Sequence, residues 1–409
     1  MRILAIGDVY PWPSRDGYRL RFASVLEALA ECGDVDLFIA AFEGEVVIDG
    51  RRPCLHRYSS ALAASSRRSV TLFLKTLLRT HPRRISWRDW SGAEAALEDF
   101  VEAPYDVVWY SHADSYATLG SPRFGPAIVD LDNLEDLVLE RTVLAQKNSS
   151  TLSDTAQGGR WDGIRAAVVR GLDRRDVRRW RSLQGEIATT ASAVVVCSDV
   201  DSKRLGAGNV VVIPNGYPSP GQVTSLSAQT HKLVMVGRFT YEPNLVGATW
   251  FIKAVLPHLR RRSPQVEIRL IGRFDDRLVA AAAGEGVTIV GEVDDVDLEL
   301  RDARGVIVPL LSGSGTRIKI LEALAYGVPL VTTTIGCEGI DVIPDRHALV
   351  CDDPLDFAEA CERLLVDDVL WTSLSEAGSE LYRDRYSTAS TSALVRSLAS
   401  LTASGSTPH

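Results

Sequence analysis

The chain has no close-paired cysteines, no long apolar run and no net positive charge. Its six cysteines stand at 32, 54, 197, 337, 351 and 361. No two fall in a CxxC arrangement, so neither a structural zinc site nor a disulfide framework is indicated, and a reducing compartment fits. No stretch reaches the roughly 18 uninterrupted apolar residues of a membrane span. The apolar run within the opening MRILAIGDVYPWP is too short for a signal peptide and reads better as a first strand. A cytoplasmic protein is expected, soluble or peripheral on the cytoplasmic face of the membrane. The formal net charge of −8 argues against a general nucleic-acid binder. Nor is there a well-placed carboxylate nucleophile of the two-acid hydrolase kind.

With 409 residues, 45% apolar and 24% charged, the chain is too long for one core and suggests two globular domains. The richest stretch is RGVIVPLLSGSGTRIKILEALAYGVPLVTTTIGCEGI, from Arg304 to Ile340. Val306 to Leu311 has the pattern of a strand buried on both faces. Ser312, Gly313, Ser314, Gly315 and Thr316 cannot continue it, and their turn has amides able to converge on an anion. A helix is predicted from about Arg317 to Tyr326, stopped by Gly327–Val328–Pro329. Its N-terminus, with Thr316, Arg317 and Lys319, offers a seat for phosphate. Glu322, inside an otherwise apolar helix, must face solvent or bind something, and hydroxyls suit it. Val331 to Thr334 forms the next strand. It ends in a second glycine loop carrying Gly336 and Glu338, at the sheet edge where ligands of open α/β folds sit.

The first half opens with strand Ile3 to Ile6, a polar turn through Gly17, helix Arg19 to Ala30 and strand Asp36 to Ala41. Arg67 to Arg88 interleaves apolar residues with arginines and ends near Trp87 and Trp90, the composition of a helix for an anionic lipid surface or of a solvated outer face. Tyr105 to Tyr110 is a strand that places His112 at its carboxyl end, where an imidazole can donate to a hydroxyl or shuttle a proton. Asp130, Asp132, Asn133, Glu135 and Asp136 loosely resemble a divalent-ion site, but their spacing fits no compact ligand set, so no metal is expected. Gln146 to Arg160 reads as a loop, Trp161 to Thr190 as a long arginine-laced helix, and Pro214–Asn215–Gly216–Tyr217 as a sharp break whose Asn215 and Gly216 can face a ligand. Predicted boundaries are 1–217, a linker at 218–230, 231–385, and a C-terminal helix or tail at 386–409 packing back on the first domain. Ser387 to Ser406 is expected to be ordered only in part.

In the second half, Lys232 to Val236 is a strand tipped by Gly237–Arg238, and the arginine fork of Arg238 matches a diphosphate. Helix Leu245 to Leu259 and further strands closing in glycine follow, with a last strand at His347 to Cys351. Strands alternating with helices mean parallel sheets covered on both faces. The expected fold class is α/β, two Rossmann-like doubly wound domains facing across a cleft.

GRFTYEPN, the Pro-Asn-Gly turn and GSGTRIKILEALAYGVPLVTTTIGCEGI together resemble the retaining nucleotide-sugar glycosyltransferases of family 4, GT-B fold. The resemblance is strong in the second half and weaker in the first. It implies that Glu322 holds the donor ribose and Arg238 the diphosphate. Gly17 would approach the diphosphate and sugar, His112 would stand by the transferred sugar, and Gly336 and Glu338 would border the nucleotide pocket. With Asn215, Gly216, Gly313, Ser314, Gly315, Thr316, Arg317 and Lys319 these make the candidate donor site, and His112, Arg238 and Lys319 the candidate catalytic residues. Two positions depart from the family: Ser314 stands where an acid is usual, and Pro243, followed by Asn244, where a lysine is common. Either Arg317 and Lys319 supply the missing charge or diphosphate binding is weakened; the retained glycines and cations favour the first. The resemblance implies no cofactor, a UDP- or GDP-linked sugar as donor, and a saccharide or lipid-linked hydroxyl acceptor in cell-surface polysaccharide, glycolipid or glycoconjugate synthesis. Alternatives are a nucleotide-sugar epimerase of similar fold or a catalytically silent membrane-associated partner.

Overall fold

The computed structural model describes residues 1–14, 16–41, 52–65, 80–141, 143, 160–221, 230–293, 295–313, 315 and 317–406. The chain divides into two compact units, Met1–Pro214 with Thr391–His409, and Asn215–Ser390.

The first unit is built on strands β1 (Arg2–Gly7), β2 (Asp34–Ala41), β3 (Arg57–Leu62), β6 (Val107–Ser111), β7 (Ala127–Asp130), β8 (Ala193–Val196) and β9 (Val210–Val212). They lie in the order β3-β2-β1-β6-β7-β8-β9, and every pairing is parallel. β4 (Ala64–Ser65) and β5 (Arg88–Asp89) form a separate antiparallel ribbon. Fully buried runs such as Val107–Ser111 and Ala193–Val196 form the middle strands because both sheet faces are covered by helices. After β3 the chain returns to the far side of β1, so the connection reverses between β1 and β6. The carboxyl ends of those two strands define the crevice where such folds take ligands.

The second unit repeats the plan with β10 (Lys232–Val236), β11 (Glu267–Ile271), β12 (Val287–Gly291), β13 (Gly305–Val308), β14 (Leu330–Thr332) and β15 (Leu349–Val350). The order is β12-β11-β10-β13-β14-β15, again all parallel, and the reversal falls between β10 and β13. Arg238 follows the first of these strands and the Gly313 loop follows the second. Gly272, at φ +123°, shows how tightly the strand tips pack: a Cβ there would lie 2.1 Å from the Gly237 carbonyl oxygen.

Some elements differ from the sequence reading. The segment expected to be only partly ordered is a 16-residue helix, Thr388–Ala403. Thr391, Val395, Leu398, Ala399 and Thr402 form its buried stripe, and Val395, Leu398 and Ala399 join the core of the first unit, so small residues at helical spacing were enough. The single helix expected at 245–259 is Glu242–Trp250, a π-turn Phe251–Val255 and Leu256–Arg262. Only Leu349–Val350 of the expected last strand is extended. Among the described residues no helix is long and apolar enough to cross a membrane.

Candidate functional site

In the first unit, the site grows from the tips of β1 and β6. Asp8 follows β1 and His112 follows β6, and their adjacency in the sheet brings the side chains to 3.7 Å, His112 Nδ1 to Asp8 Oδ1. Tyr18, one residue after Gly17, donates its hydroxyl to Asp8 Oδ1 at 2.5 Å, and Ser111 Oγ donates to Tyr18 at 3.2 Å. The Tyr18 and His112 rings stack with centroids 4.1 Å apart. His112 takes φ +76°, unusual for a side chain with a Cβ, as the residue that caps helix Ala113–Leu119. Gly17 is the first residue of helix Gly17–Ala30, whose cap is Asp16.

Burial alone would strip His112 of its proton, but Asp8, Asp132 and Glu135 outweigh it and raise the ring to about 9. Burial works against the Asp8 carboxylate as well; His112, Tyr18 and Arg84 together bring it below its usual value. At neutral pH the pair is therefore imidazolium and carboxylate.

The acids after β7 are already committed. Asp130 is held by both arms of Arg21 at 2.8 Å, deep in the unit. Asp136 accepts from Arg181, Gln184 and Arg204. Among the described residues no group of acids, histidines and cysteines is arranged to hold a metal ion. The basic stretch is described only at 80–88; the rest, and the 146–159 part of the predicted loop, lie outside the described residues. Within it Arg83 pairs with Asp173 and Asp176, and Arg84 with Asp114 and Glu135. Trp90 is buried with its ring N–H on the Ile85 carbonyl, while Trp87 remains exposed. Arg83 and Arg84 thus face acids of their own unit rather than presenting free charge to a lipid surface.

In the second unit, β10 ends in Gly237 and the exposed Arg238, whose guanidinium makes no ion pair or side-chain hydrogen bond among the described residues. Asn244 Nδ2 donates to the Arg238 carbonyl at 2.9 Å, closing that turn. The other oxygen-bearing end of the same amide accepts from Lys319 Nζ at 2.6 Å. Lys319 thereby reaches from the first turn of helix Ile318–Tyr326 to the tip of β10, 3.1 Å from where a Cβ of Gly237 would stand. Its charge sits beside the position that Pro243 and Asn244 leave uncharged. Burial and Arg317 depress Lys319 to about 8, with Glu322 pulling the other way.

Gly313 and Gly315 turn the loop after β13 at φ +123° and +78°. Ser314 and Thr316 lie outside the described residues. Arg317 is buried and donates to the carbonyls of Gly315 and Ile335, the latter at 3.2 Å, so it ties the first glycine loop to the second. The second loop is fixed by Thr333, whose hydroxyl donates to the Leu310 carbonyl and accepts from Gly336 N at 2.9 Å. A Cβ on Gly336 would lie 2.1 Å from Thr332 Oγ1, which explains glycine there. Glu338 follows, half-buried in the same turn.

Glu322 is half-buried rather than facing bulk water. Its Oε1 accepts from Tyr217 at 2.6 Å, a residue the sequence reading assigned no role. Burial raises the Glu322 carboxyl; Tyr217 and Lys319 counteract it, and Asp295 adds to it. Asn215 and Gly216 are buried at the start of the same unit, two residues and one residue before that tyrosine. Loops after β10, β13 and β14 thus bring Arg238, Lys319, Arg317 and Gly336 to one end of the sheet, with Glu322 one turn further along its helix.

Residues 230–367, about a third of the chain, match the family model described as glycosyl transferases group 1. The chain is 25% identical to the glycogen synthase of Mycobacterium tuberculosis over 388 residues, 82% of this chain and 91% of that enzyme. It is 28% identical to the phosphatidyl-myo-inositol mannosyltransferase of Mycolicibacterium smegmatis over 212 residues, 50% of each chain. The matched stretches cover from 35% to 91% of the curated relatives' own lengths, about half for the mannosyltransferase. Anabaena HepE, solved in complex with UDP, is similar in structure at a TM-score of 0.65, with 13% identity, over 98% of this chain and 100% of that one. The two α/β units are those of the GT-B fold. The family model and the relatives thus carry the likeness to group 1 glycosyltransferases, and the structural similarity shows the GT-B fold.

Proposed function

We propose that the protein is a retaining glycosyltransferase that moves a sugar from a nucleoside-diphosphate sugar to a hydroxyl acceptor, with no metal required. The observation that carries this reading is the grouping in the second unit: an exposed arginine and an inward lysine at the β10 tip, two tight glycine turns, and a half-buried carboxylate on the helix between them. Ribose hydroxyls match Glu322, and the diphosphate matches Arg238, Lys319 and the glycine-loop amides. Departure of the nucleoside diphosphate leaves negative charge on its phosphate as positive charge grows at the anomeric carbon. Preoriented cations and amides stabilise that separation without reorganising. The reading takes attack by the acceptor hydroxyl from the front face on an ion-pair-like state: the anomeric carbon–phosphate oxygen bond breaks, the new carbon–oxygen bond forms, and the hydroxyl proton passes to the departing phosphate oxygen, with no sugar bound covalently to the protein. His112 and Asp8 are assigned to the transferred sugar, as a charged donor and the carboxylate that keeps it charged.

UDP is the donor nucleotide favoured first, because HepE was solved with it; GDP is the other. The similarity to a phosphatidyl-myo-inositol mannosyltransferase supports a lipid-linked acceptor; a saccharide acceptor and work in cell-surface glycoconjugate synthesis at the cytoplasmic membrane face belong to the same proposal. Calorimetric titration with UDP, GDP and their sugars tests the proposal. Binding by the wild type, weakened at least about tenfold in Glu322→Gln, is expected from the loss of a charged acceptor for hydroxyls. Release of free nucleoside diphosphate with acceptor present, and an unchanged anomeric coupling constant in the product, complete the test. Absence of binding to any nucleotide would overturn it.

A further inference from the structure

Tyr217 is held more firmly than a residue in a turn requires. Its N–H donates to the Tyr386 carbonyl at 2.8 Å, and its own carbonyl accepts from Tyr382 Oη at 3.0 Å and from Thr388 N at 3.2 Å. It forms an isolated parallel bridge with Ser387. With the backbone fixed from these sides and the ring packed against the buried core of the second unit, the phenol has little freedom. Its hydroxyl lies 2.6 Å from Glu322 Oε1, the short distance of a hydrogen bond to an ionised oxygen. Among the described residues this is the one hydrogen bond that the Glu322 side chain makes, and Oε2 has none.

Resting on the proposed nucleotide site, we infer that Tyr217 is a positioning residue for ribose recognition: by occupying one lone pair of Oε1 it fixes the plane of the Glu322 carboxylate and turns Oε2 toward the donor's hydroxyls. A carboxylate on a helix otherwise rotates about its last bond, and a vicinal diol is read well only when both oxygens stand in one orientation. The phenol suits the task because burial and the neighbouring carboxylate raise its own ionisation well above the working range, so it stays a donor. It also favours the ionised form of Glu322, which a diol needs as acceptor.

The test compares wild type, Tyr217→Phe and Glu322→Gln, titrating whichever of UDP and GDP binds together with its 2′,3′-dideoxy counterpart, from pH 5 to 8. Phenylalanine keeps the ring and the backbone contacts and removes one oxygen, and a thermal melt checks the fold. The wild type should prefer the ribose form by about tenfold or more, as expected for hydroxyls bonded to a charged acceptor. In Tyr217→Phe that preference should fall to within about threefold, dideoxy binding should stay as in the wild type, and the loss of binding toward low pH should begin at higher pH. A Tyr217→Phe protein with full preference and an unmoved acid limb overturns this inference and leaves the nucleotide site standing. A Glu322→Gln protein that keeps the preference, or a wild type that binds neither nucleotide, overturns the underlying reading instead.

Discussion

Replacing Asp8 with asparagine should discharge His112. The two side chains lie 3.7 Å apart. At an effective dielectric of about 20, unit charges at that separation attract by on the order of 4 kcal/mol, which burial of the ring opposes. The balance lifts the imidazolium from 6.5 to about 9, or about 3 kcal/mol in favour of the charged form. Asparagine still offers Tyr18 an oxygen but carries no charge, so the ring should titrate about three pH units lower, because burial then stands against only Asp132 and Glu135. Imidazole-labelled protein followed by NMR gives the midpoint directly. The sign of the linked stability follows from the raised value. The stabilisation is complete below 6.5 and is lost as pH rises through about 9, so the variant should lose more melting temperature at pH 6 than at pH 10. A wild-type midpoint near 6.5, or one that asparagine does not move, would refute the pairing.

Lys319→Met should weaken nucleoside-diphosphate binding by about tenfold or more, through loss of a charge-assisted contact. In the wild type, affinity should decline as pH rises past about 8, where the free lysine loses its proton, and calorimetry in matched buffers should find no such decline in the variant. Asp130→Leu would strip the buried Arg21 guanidinium of its carboxylate while its bond to the Ile213 carbonyl remains, and a loss of on the order of 3–5 kcal/mol is expected for the first unit; chemical denaturation monitored within that unit measures it. Gly336→Ala places a methyl 2.1 Å from Thr332 Oγ1 and should destabilise the second glycine loop and reduce nucleotide affinity together, read by melting and titration of one preparation.

Both sheets were legible because their strands are buried on two faces, and runs such as Val107–Ser111 or Val306 onward have no other stable use. Glu322 was legible as well, since a carboxylate within an apolar helix stands out against its periodicity. Tyr217 was not. It follows a Pro-Asn-Gly turn that explains itself, and its partner lies 105 residues away. Asp8 and Tyr18, the neighbours of His112, were missed for a related reason, because a single sequence does not reveal that β1 and β6 are neighbours. The stretch from Arg67 to Arg88 suggested a lipid surface or a solvated face because composition shows only an excess of charge; for its Arg83 and Arg84 the acids opposite, Asp176 and Asp114, come from distant elements. The last segment read as a C-terminal helix or tail packing back on the first domain, but its small residues weaken the apolar signal without weakening the packing, so the order of the whole helix was not legible.

The helix that starts at Thr388 carries a consequence for biosynthesis. Val395, Leu398 and Ala399 complete a core begun by Ile3 and Phe22, and Arg396 meets Glu31 across 365 positions of sequence. Emerging from the ribosome, the first unit must wait for the whole of the second before its core can close. Until then the partly formed apolar face stays exposed, so chaperone capture should fall on the nascent first unit and end when the final helix docks.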